Sequence, residues 1–264
     1  MTVPARRRVT VDRDDRVLLI GLDRADKRNA ADHAMLSELA LAYGELDRDP
    51  ELRVGLVYAH GDHFTAGLDL ADIGPRIGPD GVDIVPEGGI NPWQVDGTSV
   101  SKPVVVAVQG TCLTLGIELI LASDITIAAE STVFGQIEVS RGILPFGGAT
   151  VRLPRAVGWG NAMRWMLTGD RFDAPEALRL GLVQEVVPDG TAFDRARELA
   201  RRIAAQAPLA VQATLANARV AVRDGDAAAE SALQPELVRL AATEDARIGM
   251  EAFLSRTDPE FVGR

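Results

Sequence analysis

Short β-branched runs alternate with stretches whose apolar residues recur every three or four positions. Residues 9–11 and 17–22 are rich in Val, Leu and Ile and flank Asp12-Arg13-Asp14-Asp15, the pattern of a β-hairpin. Asp32 precedes Met35, Leu36, Leu39, Tyr43 and Leu46, a spacing that predicts a helix with Asp32 as N-cap, ending before Asp49-Pro50. Residues 54–59 and 104–108 are continuously apolar, as strands buried on both faces are. After the second of these the pattern predicts a turn over 110–114, a buried helix over 115–123 and strands over 124–128 and 132–134. Helices are then predicted over 148–157, 160–168 and 174–180, a last strand over 182–186, and helices over 191–206, 208–222, 226–241 and 243–254. Alternation of strand and helix argues for an α/β core with parallel strands, followed by a mainly helical C-terminal third.

Residues 74–97 break this order, being rich in Gly, Pro and Asp without a period, so they read as a long irregular loop. Such loops inside compact domains tend to be functional, and this one flanks the turn Phe64-Thr65-Ala66-Gly67-Leu68-Asp69-Leu70, so it is expected to shape a substrate cavity. The apolar stretch 103–122 has nearly the length of a membrane span but is interrupted by Gln109, Gly110, Thr111, Gly116 and Glu118, which favours a buried strand and helix.

Composition narrows the function. A net charge of −10 over 264 residues argues against nucleic acid as a partner, though not against a phosphorylated small molecule. The single cysteine, Cys112, lies among apolar residues and reads as a buried thiol, and no secretory signal follows Arg6-Arg7-Arg8; a cytoplasmic location is the expectation. Neither of the two lysines, Lys27 and Lys102, follows a phosphate-binding glycine loop. Gly158-Trp159-Gly160 follows a predicted helix and lacks the third glycine of a dinucleotide site, and no Gly-x-Ser-x-Gly elbow occurs. His60 and His63 read as solvated loop residues, and no metal site is expected.

What remains is backbone and carboxylate chemistry. Ala66-Gly67-Leu68 and Thr114-Leu115-Gly116 each follow a predicted buried strand, and the second opens a helix whose first N–H groups lack intrahelical partners. Two converging N–H donors make an oxyanion hole. Glu118 stands in the same helix start and Glu138 follows twenty residues later, two carboxylates among apolar residues and glycines, as proton transfer beside a carbonyl requires.

Several stretches, in order, resemble the enoyl-CoA hydratase/isomerase (crotonase) superfamily over nearly the whole chain: Leu22-Asp23-Arg24 with Asn29-Ala30, residues 64–70, Lys102-Pro103, Gly116-Ile117-Glu118-Leu119, Ser123-Asp124, Phe134-Gly135-Gln136-Ile137-Glu138, Gly147-Gly148, Leu167-Thr168-Gly169-Asp170 and Gly181-Leu182-Val183. The resemblance implies a crotonase-like ββα spiral of two nearly perpendicular sheets over 1–190, carrying a CoA-thioester site, and a helical region over 191–264 used to form a homotrimer or a dimer of trimers. It places the oxyanion donors on the N–H groups of Leu68 and Leu115 and the hydratase pair on Glu118 and Glu138. The reaction implied is addition of water across the α,β double bond of an enoyl-CoA thioester, with no cofactor beyond the CoA of the substrate. Arg24, Lys27, Arg28 and Arg256 are candidate CoA partners, and Ala66, Gly67, Asp69 and Gly116 complete the expected substrate contacts. Isomerase, lyase or C–C hydrolase chemistry on the same scaffold is the alternative, with a non-catalytic acyl-CoA-binding oligomer ranked below it.

The chain departs from the family where many hydratases carry three glycines and it has Thr114-Leu115-Gly116. Leu115 serves as a donor only if its φ stays negative. Arg141 and Phe146 are bulky additions near the second glutamate, and pairing of Arg141 with Glu138 is one possible arrangement.

Overall fold

The computed structural model describes residues 7–95 and 98–264, so Met1–Arg6 and the end of the 74–97 loop lie outside the described residues. Strands β1 (Val9–Asp14) and β2 (Val17–Leu22) form the predicted antiparallel hairpin. Helix α1 (His33–Arg48) starts where Asp32 Oδ1 accepts from Met35 N–H at 2.9 Å, and it leads into β3 (Val54–Ala59). A short helix α2 (Leu70–Ile73), β4 (Val104–Val108), β5 (Thr111–Leu113) and α3 (Leu115–Ala122) follow. Beyond them come β6 (Ile125–Ala129), β7 (Val133–Gly135), α4 (Ala149–Val157), α5 (Trp159–Thr168), β8 (Arg171–Asp173), α6 (Ala174–Leu180) and β9 (Glu185–Val187). Helices α7 (Ala192–Ala204), α8 (Pro208–Asp224), α9 (Asp226–Ala241) and α10 (Glu244–Ser255) complete the chain.

The strands form two sheets. One has the order β1-β2-β3-β4-β6-β9 and is parallel apart from the β1–β2 pair; the other has the order β5-β7-β8. All five residues of β4 are buried, because both faces of the larger sheet are covered. Val104, Val106 and Val108 face the main core with α1 and α3, whereas Val105 and Ala107 join Val54, Leu56 and Ile127 under α7. Helix α7 presents Ala192, Ala196, Ala200 and Ala204, one small residue per turn, so it lies close against the strands. Among the described residues no helix is long and apolar enough to cross a membrane.

The pattern misplaced three short strands. Residues 111–113, expected as part of a turn, form β5, which pairs with β7. β8 was not expected, because the three residues Arg171–Asp173 are too few to show a period. The last strand begins at Glu185 rather than at 182, since Leu182 and Val183 are buried against the end of α6, with Leu182 N–H donating to Ala177 O at 2.9 Å.

Candidate active site

The smaller sheet and α3 bring two glutamates into one buried region. Glu118, on the first turn of α3, is 3% exposed, and its Oε1 accepts from the N–H of Ala149, the first residue of α4, at 3.0 Å. Gly147 packs directly on this carboxylate: a Cβ there would stand 2.7 Å from Glu118 Oε2 and 3.0 Å from Trp93 Cδ1. Burial raises the Glu118 pKa, against the pull of the Ala149, Gly147 and Gly148 N–H groups and the Arg152 charge.

Glu138 opens a short 3-10 turn (Glu138–Arg141) after β7 and is equally buried. Gln136 Nε2 donates to its Oε1 at 2.9 Å, while Oε2 is buried without a partner among the described residues. Burial, with a smaller contribution from the like charge of Glu118, pushes Glu138 up to about 7. The two environments therefore differ in kind. Glu118 is held by backbone N–H groups that favour its ionised form; Glu138 has one free oxygen in a setting that favours a proton.

The two expected oxyanion turns lie against each other. Thr65 ties them, its N–H donating to Thr111 O at 2.9 Å and its carbonyl accepting from Leu113 N–H at 3.0 Å. Gly67 has φ +102°, and a Cβ there would collide with Thr114 Oγ1, so only glycine fits. The Leu68 N–H has no protein acceptor among the described residues, and Leu115, as first residue of α3, has an N–H beyond the reach of the intrahelical ladder. Among the described non-glycine residues with positive φ, Leu115 is absent and Thr114 is present, at φ 49° and ψ −115°. That conformation is the first corner of a type II′ turn, normally a glycine position, so the cost of replacing glycine falls on Thr114 rather than on the expected donor. The Thr114 hydroxyl is buried without a partner among the described residues, and Trp93 Nε1 donates to Leu115 O at 2.9 Å, fixing the Leu115 segment.

Two cavities, each of ≈ 140 Å³, share Leu68, Leu115, Glu118 and Phe146 as walls. One continues past Ala66, Thr114, Glu138 and Arg141. The other is apolar and is lined by Leu36 and Ile73 together with Val82, Ile84, Trp93 and Val95 from the irregular loop, which does shape a cavity as its position suggested. The shared walls set the Leu68 and Leu115 segments beside Glu118, and Glu138 lines the cavity that continues past Ala66 and Thr114.

Other predicted residues lie elsewhere. The Arg24 guanidinium bonds Asp69 Oδ2 at 2.8 Å, Asp32 Oδ2 at 3.2 Å and Ala30 O at 2.7 Å, and neither Arg24 nor Asp69 lines the two cavities. The same Arg24 contact holds the Asp69 carboxyl below its ordinary range. Lys27 and Arg28 are exposed, and Arg28 O accepts from Ala66 N–H at 2.9 Å, which fastens the first turn. Gly116 lines neither cavity; it lets α3 approach Thr65 and Cys112. Arg256 is the exposed C-cap of α10. Arg141 makes no ion pair with Glu138 among the described residues and is exposed. His60 and His63 are half-buried rather than solvated: His60 Nε2 bonds Thr10 Oγ1 at 2.8 Å, and His63 Nδ1 accepts from Thr111 N–H at 3.2 Å. No cluster able to hold a metal occurs among the described residues.

Sequence reasoning passed over Trp93 and gave Asn29 and Gln136 no role beyond their place in the family-like stretches. Asn29 is fully buried, accepts from Arg24 N–H at 2.7 Å and donates to His60 O and His63 O at 2.9 and 2.8 Å, bracing the first turn. A lone Trp in a Gly- and Pro-rich loop was a usable signal for Trp93, since such a side chain seeks a core.

Comparison with known proteins identifies the family. A family model described as enoyl-CoA hydratase/isomerase matches residues 12–264. The crystal structure of a probable enoyl-CoA hydratase/isomerase from Mycobacterium abscessus is 60% identical, with a TM-score of 0.95, covering 97% of this chain and 99% of that one. Enoyl-CoA hydratase EchA19 of Mycobacterium tuberculosis is 33% identical over 262 residues, 96% of each chain. Carnitinyl-CoA dehydratase of Citrobacter koseri is 34% identical over 253 residues, 94% of this chain and 95% of the relative.

Proposed function

Since the chain belongs to the enoyl-CoA hydratase/isomerase family, we propose that it adds water across the α,β double bond of an enoyl-CoA thioester. The observation that carries this reading is the pair of buried carboxylates in unlike environments beside two uncommitted N–H groups. The Leu68 and Leu115 N–H groups receive the thioester oxygen as it gains charge, each such donor contributing roughly 3 to 4 kcal/mol of transition-state stabilisation. Glu118, supported as a carboxylate by the start of α4, takes a proton from water as its oxygen bonds to the β-carbon. Glu138 delivers its own proton from Oε2 to the α-carbon. Glu118 then carries the proton that Glu138 has lost, and exchange with solvent restores both.

Water addition is microscopically reversible, so the same residues serve elimination from a 3-hydroxyacyl thioester; the similarity to a carnitinyl-CoA dehydratase is compatible with either direction. Isomerisation needs one carboxylate to shuttle a proton, and retention of both favours hydration. The cavity past Glu138 and Arg141 is the route for the pantetheine arm, with Lys27 and Arg28 as partners for the CoA phosphates and Arg256 as a candidate partner in a neighbouring subunit. Assembly into trimers is supported by the exposed apolar side chains of α9 and α10, among them Leu237, Val238, Phe253 and Leu254.

The test is product identification with a series of trans-2-enoyl-CoA thioesters. Formation of 3-hydroxyacyl-CoA supports the assignment; a shifted double bond alone, or no turnover of any thioester, contradicts it.

A further inference from the structure

The apolar cavity contains one polar side chain that the proposed chemistry does not use. Asn91 is 5% exposed and lines the arm of the cavity beyond the shared walls, among Leu36, Ile73, Val82, Ile84 and Trp93. Its amide orientation is fixed, because Oδ1 accepts from the Trp93 N–H at 2.9 Å. Nδ2 therefore faces the other way, and among the described residues it has no acceptor. Nδ2 is not among the described buried side-chain atoms that lack a partner, so it is reached from the cavity; a ligand that covers it without offering an acceptor strips that donor of its hydrogen bond, which favours a ligand atom that accepts from it.

The wall carrying Asn91 is built to hold position. Asn91 O accepts from Gln94 N–H at 3.0 Å, and Gln94 Nε2 donates to Ala122 O at 2.7 Å, at the end of α3. From α4, Arg152 Nη2 donates to Gln94 O at 3.1 Å and Nη1 to Gly147 O at 3.2 Å, so the loop is bound to the two helices that hold Glu118. The cavity is also limited in size and charge. Its ≈ 140 Å³ matches an acyl portion of roughly benzene size, since an apolar cavity of about 150 Å³ takes benzene. Glu118 is its one charged lining residue among those described, and no cation is present there to meet a terminal carboxylate.

We propose that the acyl cavity selects a short acyl chain whose distal part carries a neutral hydrogen-bond acceptor, a ketone or hydroxyl oxygen, received by Asn91 Nδ2. This specificity rests on the CoA-thioester reading of the site, and the experiment separates the two. Saturated thioesters are used so that binding is read without chemistry: hexanoyl-CoA, its 4-oxo and 5-oxo derivatives, and adipoyl-CoA, each titrated calorimetrically into the intact protein. At least one oxo thioester binds about tenfold more tightly than hexanoyl-CoA, and adipoyl-CoA binds more weakly than that oxo thioester. Asn91→Asp keeps the acceptor for the Trp93 N–H and removes the donor; Asn91→Ala removes both. In each variant the ratio of oxo to plain thioester falls to about one or below, a change that general loosening of the loop would not produce.

Wild-type protein that binds hexanoyl-CoA as tightly as every oxo derivative overturns the specificity and leaves the thioester reading intact. Failure to bind any of the four overturns both. A preference that persists alongside absent hydration of the matching 2-enoyl thioesters supports the Asn91 assignment and removes the hydratase reading alone.

Discussion

Gly147→Ala is a small substitution with a calculable effect on the site. The added methyl would stand 2.7 Å from Glu118 Oε2 and 3.0 Å from both Glu118 Cδ and Trp93 Cδ1. Ordinary contacts of this kind lie near about 3.5 Å, so the carboxylate, the indole or the Gly147 backbone must yield by roughly 0.5 to 0.8 Å. Glu118 is held by the Ala149 N–H and Trp93 by Leu115 O, so movement at any of them disturbs either the base or the donor-bearing segment. A displacement of about 1 Å in a catalytic group can cost on the order of 10²-fold, which sets the expected loss in kcat/KM at roughly 10- to 100-fold. Overpacking should cost about 1 to 3 kcal/mol of stability, too little to abolish folding. The assay is steady-state hydration beside a thermal melt. Gly160→Ala on α5 is the control, because a Cβ there meets nothing within 4 Å and alanine favours helix. A folded Gly147→Ala enzyme with wild-type kcat/KM would refute the packing argument.

Three further expectations concern charge and strain. Glu138, pushed up to about 7, must be protonated to act as acid, so kcat/KM falls as pH rises through about 7; the acid limb belongs to Glu118, whose pKa burial also raises, and a rate that does not fall between pH 6 and 8 would contradict the Glu138 assignment. Because burial lifts the folded pKa of Glu138 above its ordinary value of 4.5, its stabilising contribution is full below 4.5 and is lost as pH rises through about 7. Glu138→Gln should therefore gain stability over wild type across that window, by up to roughly 3 kcal/mol in denaturant titrations at pH 8 against pH 4. Thr114→Gly should relieve about 1 to 3 kcal/mol of backbone strain and remove an unpartnered hydroxyl, against about 0.5 to 1 kcal/mol for glycine's entropy, raising Tm by a few degrees in calorimetry. Lys27→Ala and Arg28→Ala should raise KM a few-fold in a salt-dependent way with little change in kcat, whereas Arg24→Met should lower Tm, since Arg24 is bound to Asp69 and Asp32.

Long, strongly periodic segments were legible in the sequence. Asp32 capped α1 as its residue type requires, and the apolar run of β4 announced a strand buried on both sides. Of the three-residue strands, β7 was expected, β9 was placed a few residues early, and β5 and β8 were not seen, because their pairing is set by distant partners rather than by local pattern. Within the site, Glu118 and Glu138 stood out because a carboxylate among apolar residues needs a reason. Arg24 and Asp69 show the matching difficulty: the bond between these two residues, 45 positions apart, has no local signature in the sequence. The departure at Thr114-Leu115 was visible, but its consequence was not. Only the backbone angles show that Thr114 takes up the glycine conformation and that Leu115 does not.

The proposed hydration requires Glu118 to take a proton from water and Glu138 to give one to the α-carbon, beside the Leu68 and Leu115 N–H groups. Its most direct measurement is the hydration rate of a 2-enoyl-CoA thioester that the wild type turns over, followed by loss of the conjugated absorbance, for wild type, Glu118→Gln, Glu138→Gln and the double variant. The account predicts a fall in kcat of roughly 10² to 10⁴ for each single variant with KM little changed, and a double variant far less impaired than the product of the two. Hydration at the wild-type rate in either single variant would contradict it.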